Sequence, residues 1–333
     1  MNSVLERLNE ALRSVMAEDE RVYLLGEDIL DPYGGAFKVT RGLSTLFPAR
    51  VLTTPISEAA IVGFANGMAM RGLHPVAEVM FGDFVTLVAD QLINHAAKFR
   101  WMYNEQVRVP LVLRTPMGGR RGYGPTHSQS LEKLYLGVPG LRVVAPNTLS
   151  DPAALLRTCI LQEEGPVLFV EHKLLYTCSL LEEGKGDLQD LQVQTFGGEY
   201  PAHVLSFAAV PRPDVTIATY GYQFELVRSA ALTLAYEYEI FAEIVLLSQL
   251  SPFALEPVMG SLRRSGRLLT VEEGSASLGW GAEVAACAAE ELPQVKVARV
   301  AALDLPVANA KTLEDEILPS VEKIVQAGRG LVG

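Results

Sequence analysis

The chain has 333 residues, which is long enough for two domains that each bury a core, and its 49% hydrophobic and 20% charged residues are typical of a soluble globular protein. Its net charge of −11 and the lack of a basic run argue against nucleic acid or an anionic membrane surface as a partner. Three scattered cysteines form neither a metal-type spacing nor a disulfide framework. We therefore expect a cytoplasmic protein that does not span a membrane.

The first half of the chain alternates between helical and strand patterns. Apolar residues at helical spacing predict an amphipathic helix over residues 3–17. Short apolar runs predict strands at residues 22–25, 51–53, 75–80, 111–114, 141–145 and 167–170. Helical patterns lie between them, among them one from about Val85 to Arg100. This alternation predicts a parallel sheet with helices on both faces.

The pattern lapses in the middle of the chain and then resumes. Residues 182–213 are rich in glycine and proline and read as a linker, with a possible strand at 204–207. A second series follows, with strands predicted at 215–218, 243–246, 268–271 and 295–300. We therefore predict an α/β fold of two doubly wound domains, residues 1–181 and 214–333, joined by that linker.

One apolar stretch, residues 53–69, carries a single acid. Thr and Ser hydroxyls could cap a helix here, Pro55 suits its first turn, and Glu58 follows. Almost all later residues are small or apolar, which predicts a buried helix. Burial would raise the pKa of Glu58. Two interpretations stay open at this point: a solvent-facing charge that favours the helix dipole, or a buried acid kept for proton transfer.

Other candidate residues follow predicted strands. A glycine-rich loop at residues 118–124, with two arginines, leads into His127, and it is either a mobile surface loop or an anion site. Loops after parallel strands are where such sheets place active sites. Met80, Phe81 and Phe84 are most simply core residues, although they could also form a flat apolar wall for a heteroaromatic ring.

Several common cofactor motifs are missing from the sequence. It contains no zinc-type Cys/His spacing, no G-x-S-x-G elbow and no phosphate-binding P-loop. Gly279-Trp280-Gly281 begins like a dinucleotide fingerprint, but the third glycine is absent. No glycine-rich turn is accompanied by acidic metal ligands, so the chain lacks a recognisable diphosphate cradle and we predict no metal site in it.

A set of motifs nevertheless resembles one family over nearly the whole chain. They are Gly26-Glu27-Asp28, Thr54-Pro55-Ile56-Ser57-Glu58, Pro75-Val76-Ala77-Glu78, Phe81-Gly82-Asp83-Phe84, His127-Ser128-Gln129-Ser130 and Thr270-Val271-Glu272-Glu273-Gly274. In this order they resemble the β subunit of the thiamine-diphosphate-dependent 2-oxo acid dehydrogenases of the pyruvate, branched-chain and acetoin type.

The resemblance implies a half-enzyme. The first domain would be a transketolase-like pyrimidine-binding domain and the second a transketolase C-terminal-like domain. In the family, the α subunit carries the Gly-Asp-Gly…Asn signature that holds Mg²⁺ and the diphosphate. That signature is missing here, in agreement with the absent cradle. An α₂β₂ heterotetramer is therefore implied, with thiamine diphosphate bound between the chains.

The resemblance also implies roles for individual residues. Glu58 matches the glutamate that hydrogen-bonds N1′ of the aminopyrimidine, which is a task for a carboxyl group of raised pKa. Phe84 matches the aromatic residue stacked on that ring, and Met80 and Ile56 line the same pocket. His127 matches a histidine that donates a proton during the reaction or assists acyl transfer to a lipoyl group.

The implied reaction is the oxidative decarboxylation of a small 2-oxo acid, with the acyl group passed to a lipoyl-bearing acyltransferase or another carrier protein. Two alternatives remain. A split transketolase or synthase would transfer the group without lipoate, and a scaffold subunit would keep the fold without catalysis. The presence of both Glu58 and His127 disfavours the scaffold, because a scaffold needs neither residue.

Overall fold

The computed structural model describes residues 3–333, which form two compact units. The first unit contains the described residues up to Gly118 together with Leu134–Leu180. The second unit contains Gly119–Lys133 and Leu181–Gly333. The segment that carries His127 therefore belongs to the second unit, although it is flanked in sequence by residues of the first.

The first unit contains six strands in one parallel sheet. The strands are β1 Val22–Gly26, β2 Val51–Thr53, β3 His74–Glu78, β4 Val112–Met117, β5 Arg142–Val144 and β6 Val167–His172. Their order in the sheet is β5-β6-β4-β3-β1-β2, and neighbouring strands are parallel. Because they are parallel, their carboxyl ends meet at one edge, where the candidate residues of this unit follow.

The helices of the first unit connect these strands. They are α1 Val4–Glu18, α2 Leu43–Leu46, α3 Glu58–Met70, α4 Ala97–Met102 and α5 Pro152–Leu161. Helix α1 begins with a capping box formed by Ser3 and Glu6, and its Leu8 and Leu12 are fully buried. It packs against α5, where Arg7 lies 2.6 Å from Asp151.

The predicted helix over residues 85–100 is present, but it is not a regular α-helix along its whole length. The chain forms a 3₁₀ turn over Gly82–Val88, a π-helical segment over Asp90–Ala96 and then α4. The buried amide of Asn66 in α3 donates a 2.9 Å hydrogen bond to the carbonyl of Gln91 in the π-helical segment. A side chain that takes a helix carbonyl in this way disturbs the regular i to i−4 ladder.

The second unit has a mixed sheet in the order β13-β12-β9-β10-β8-β7. Its strands are β7 Leu191–Phe196, β8 Ala202–Phe207, β9 Val215–Tyr220, β10 Ala242–Leu247, β12 Arg267–Ser275 and β13 Lys296–Ala302, and the short β11 Gln249–Ser251 lies outside it. The helices are α6 Gln223–Tyr238, α7 Glu256–Ser265, α8 Trp280–Glu291, α9 Lys311–Ile317 and α10 Val321–Val332. Strands β9, β10, β12 and β13 pair in parallel.

The segment expected to be a linker, residues 182–213, contains an antiparallel hairpin. Strand β7 pairs with β8, and β8 pairs antiparallel with β10, so the hairpin extends the parallel sheet at its edge. The predicted strand at 204–207 is confirmed as part of β8. The predicted fold class, two α/β domains, is also confirmed. Within residues 3–333, no helix combines the length and the apolar character that crossing a membrane requires.

Candidate active site

Glu58 is the first residue of α3, directly after the loop that follows β2. The residue is only 7% exposed, and its carboxylate accepts no hydrogen bond from any residue in the described range 3–333. This degree of burial favours the second interpretation, a buried acid, over a fully solvent-facing charge. The predicted capping was wrong: Ser57 makes no side-chain capping bond, and Pro55 lies before the first turn. A largely enclosed carboxylate that receives no hydrogen bond from the protein is available to accept one from a ligand.

A second carboxylate, Glu27, lies beside Glu58 at the carboxyl end of β1. Glu27 is 5% exposed. Burial raises the pKa of Glu27, the negative charges of Glu58 and Asp28 raise it further, and a hydrogen bond from the Ser57 N–H partly opposes them. In the sequence, Glu27 stands out only as part of the motif Gly26-Glu27-Asp28, with no role of its own. Its position after a buried strand next to β2 could have pointed to it, because adjacent parallel strands end at the same edge.

Two buried oxygen atoms in this group lack a partner in the described chain. They are Oε1 of Glu27 and Oγ1 of Thr54. The Thr54 backbone N–H donates to the carbonyl of Gly26, which ties the loop after β2 to the end of β1. We call Glu27, Thr54 and Glu58 the acidic half-site. Its unsatisfied oxygen atoms fit a polar heteroaromatic ring that carries hydrogen-bonding groups.

Aromatic side chains follow β3 in the same unit. Phe84 is half-buried and meets Phe81 edge to face, with ring centroids 6.2 Å apart, and Phe81 meets Phe37 in the same way at 5.6 Å. The 3₁₀ turn that carries Phe84 packs against α3, the helix that begins with Glu58. Met80 is half-buried as well, whereas Ile56 is 82% exposed.

A buried ionic network fixes the strand ends behind this aromatic group. Arg114 on β4 donates two hydrogen bonds to Glu171 on β6, at 2.7 and 2.8 Å, and a third of 2.8 Å to Glu78 on β3. The hydroxyl of Tyr176 also donates to Glu171. Three neighbouring strands are thereby joined at their carboxyl ends. We infer that the network holds the segment after β3, with Met80 and Phe84, in place.

The glycine-rich loop is bound by carboxylates of its own unit. Gly118, Arg120, Gly122 and Gly124 all have positive φ angles, a pattern that turns successive N–H groups inward. The N–H of Gly119 donates to Glu273 at 2.7 Å, and the N–H of Arg120 donates to Glu314 at 2.7 Å. The loop was expected to be either a mobile surface loop or an anion site. Two of the N–H donors that an anion site would use are therefore already bound to the chain's own carboxylates.

His127 ends this loop in the second unit and is half-buried. The ring atom Nδ1 lies 3.0 Å from the hydroxyl of Thr126, and the backbone N–H of His127 donates to the carbonyl of Gly124 at 3.3 Å. Glu58, Ile56, Met80 and Phe84 belong to the first unit and His127 to the second. Among residues 3–333, no group of three or more His, Cys, Asp and Glu residues is arranged to hold a metal ion.

Two known domain families match the chain. The family described as the transketolase pyrimidine-binding domain matches residues 3–179, and the transketolase C-terminal domain matches residues 208–324. A solved split-gene transketolase, described as an inactive β4 tetramer, has the same fold, with a TM-score of 0.76. The two proteins are 22% identical, and the match covers 100% of this chain and 99% of the other.

The curated relatives are similar over almost their full length. The chain is 36% identical to the β subunit of acetoin:2,6-dichlorophenolindophenol oxidoreductase from Cupriavidus necator, over 98% of this chain and 96% of the relative. It is also 36% identical to the pyruvate dehydrogenase E1 component subunit beta-1, mitochondrial, of Arabidopsis thaliana, over 98% and 88%. The Bacillus subtilis acetoin protein is 34% identical, over 99% and 97%. The chain therefore belongs to the transketolase-like family of thiamine-diphosphate enzymes, in the group that contains the β subunits of pyruvate dehydrogenase and acetoin oxidoreductase.

Proposed function

We propose that this chain is the β subunit of a thiamine-diphosphate-dependent 2-oxo acid dehydrogenase that acts on a small 2-oxo acid of the pyruvate or branched-chain type. The observation that carries the proposal is the buried carboxylate of Glu58, which receives no hydrogen bond from residues 3–333, in a chain that matches the β subunits of pyruvate dehydrogenase and acetoin oxidoreductase over 98% of its length. A buried acid of this kind is costly in a purely structural protein.

The acidic half-site fits the aminopyrimidine of the cofactor. We assign Glu58 to the ring nitrogen N1′, where its carboxyl group would hold or release a proton. Glu27 and Thr54 offer further buried oxygen atoms to the polar edge of the ring. Phe84, Met80 and Ile56 would bind its apolar faces and exclude water. The bound cofactor supplies the electron sink for loss of carbon dioxide.

We further propose that an α subunit holds the Mg²⁺ and the diphosphate in an α₂β₂ heterotetramer. Two observations support this division. The described residues contain no carboxylate cluster suited to a metal, and two N–H groups of the glycine-rich loop are already bound to Glu273 and Glu314. The cytoplasmic location predicted from the sequence stays a prediction, since the Arabidopsis relative carries the label mitochondrial.

We assign His127 to the second half of the reaction. A histidine beside a threonine hydroxyl can donate a proton to an oxyanion or assist transfer of the acyl group. The acceptor would be the lipoyl group of an acyltransferase or another carrier protein. A purified lipoyl domain offered as acceptor separates this proposal from a split transketolase, which would leave the lipoyl group unmodified.

The central test is Glu58→Gln in the chain assembled with its α subunit. We expect turnover of the 2-oxo acid to fall by at least about 100-fold, because a glutamine cannot hold and release the N1′ proton. Light scattering should show an unchanged assembly, and the matched variant Glu237→Gln on the exposed surface of α6 should keep full turnover. Unchanged turnover in the Glu58 variant would reject the enzyme proposal in favour of a scaffold.

A further inference from the structure

A cavity of about 670 Å³ lies within the second unit between the β7–β8 hairpin and α7. Its floor is a row of side chains across three strands: Phe196 on β7 is paired with Ala202 on β8, which is paired with Leu247 on β10. Val204 extends this floor on β8, because alternate residues of a strand face the same side. None of the residues assigned to the cofactor lines this cavity.

Small residues on the strand floor and on the facing helix α7 leave the cavity open. Ala202 occupies the centre of the floor row, and Gly260 lines the cavity from the middle of α7. A Cβ atom added at Gly260 would meet nothing within 4 Å. Glycine inside a helix is less favourable than alanine, and packing within the chain does not require it here. The free space beside Gly260 therefore suits an occupant from outside the described chain.

The charged groups that line the cavity are already paired with other groups of the same unit. Arg264 donates to Glu243 on β10 and, at 2.9 Å, to the carbonyl of Gly260. Glu256 lies 2.8 Å from Arg263. A charged ligand would have to break one of these pairs to gain a counterion, whereas an uncharged ligand would not.

We propose that this cavity is a binding site for an uncharged, largely apolar small molecule, an aromatic or acyl compound. The volume lies in the range of ligand pockets, about 300–1,000 Å³, and the lining has their usual character of apolar walls with a few polar groups. Phe196 and Tyr200 at the hairpin end offer aromatic faces to such a ligand. The proposal does not depend on the function proposed above.

The test is a titration of the full chain with Nile red, an uncharged apolar dye, followed by fluorescence. We expect a saturable component that Gly260→Leu weakens by at least about tenfold, because the leucine side chain fills the space beside α7. The matched control is Gly330→Leu, a helical glycine of α10 that also has nothing within 4 Å of an added Cβ. Both variants should melt at or above the wild-type temperature, since leucine is the better helix former. Equal titrations for all three proteins would overturn the proposal.

Two further measurements test the ligand class and its source. Decanol should displace the dye from the wild type at least about tenfold better than decanoate, because the cation that lines the cavity, Arg264, is already paired with Glu243. Better displacement by decanoate would overturn the assignment to an uncharged ligand. The titration is then repeated with the α subunit bound. Retention of the component that depends on Gly260 supports a small-molecule site, and its loss would show that the partner chain fills the cavity.

Discussion

Glu27 and Glu58 place two buried carboxylates side by side in the first unit. Burial and the charge of Glu58 raise the pKa of Glu27 in the folded protein. Ionisation of Glu27 therefore costs more free energy in the folded protein than in the unfolded chain, so it lowers the stability. The stability that Glu27 contributes is complete below its ordinary pKa near 4.5 and is lost as the pH rises through the higher folded value.

We therefore predict that Glu27→Gln raises the free energy of unfolding at pH 8 by about 1 kcal/mol, and that the gain vanishes as the pH falls to about 4.5. Urea unfolding of the variant and the wild type at a series of pH values measures this difference in the free energy of unfolding. Glu20→Gln is the control, because Glu20 is exposed, lies in the same unit and has no part in raising the pKa of Glu27. If the gain in free energy of unfolding did not vary with pH, the raised pKa of Glu27 would not be its cause.

At this scale the sequence predicted a buried helix after Glu58, left the burial of Glu58 itself open and assigned no role to its neighbour Glu27. Glu58 is followed by small and apolar residues, and that local surrounding can be read directly. Glu27 stands 31 positions earlier, and it approaches Glu58 because β1 and β2 pair in parallel. The strand order that brings the two acids together is a tertiary feature that no local pattern contains.

The β7–β8 hairpin is the element that departs most from its predicted character. Its His203 is 6% exposed, and Nδ1 lies 3.0 Å from the hydroxyl of Thr195 on the facing strand. Burial lowers the pKa of His203 to about 4. Protonation is thus easier in the unfolded chain, so the stability that His203 contributes is present above pH 6.5 and is lost as the pH falls towards 4.

We predict that His203→Gln removes a large part of the loss of stability that the wild type suffers between pH 6.5 and pH 4, on the order of 2–3 kcal/mol. Thermal melts across this range measure the effect. His95→Gln, at an exposed side chain of the first unit, should leave the pH dependence as in the wild type. Parallel stability curves for the wild type and the His203 variant would contradict the prediction.

Helix and strand positions were predicted well wherever a local pattern determines them, as in α1 and β1. The helix expected over residues 85–100 is present but changes its type along its length, for a reason outside its own sequence. The amide that takes the carbonyl of Gln91 comes from Asn66, on another helix. Likewise, glycine and proline in residues 182–213 correctly indicated turns, and the strand predicted at 204–207 lies in β8, but β7 was missed because its partner is β8 rather than a neighbour with a local signal.

The first unit leaves apolar surface uncovered along α3. Phe64 is 64% exposed, and Gly63 and Gly67 on the same helix are exposed as well. A helix this apolar with an open stripe is typical of a subunit interface. We predict that Phe64→Asp weakens assembly with the α subunit by at least about 30-fold, as expected for a buried aromatic anchor.

Sedimentation of the mixed subunits at a series of concentrations measures this change. Leu313→Asp on α9 is the matched control, since Leu313 is 58% exposed and lies in the second unit. It should assemble like the wild type. If both variants assembled normally, the open stripe of α3 would not be the contact surface.

The membership of residues 119–133 in the second unit bears on how such genes can recombine. Gly119 and Arg120 are encoded ahead of residues 182–213, the expected linker. Glu273 and Glu314, which accept hydrogen bonds from their N–H groups, are encoded after it. An exchange at the linker between two diverged lineages would join a loop from one parent to acceptors from the other. In such hybrids the loop before His127 would meet acceptors that did not evolve with it, and His127 would be held less well. We therefore expect the two halves of the gene to be inherited together.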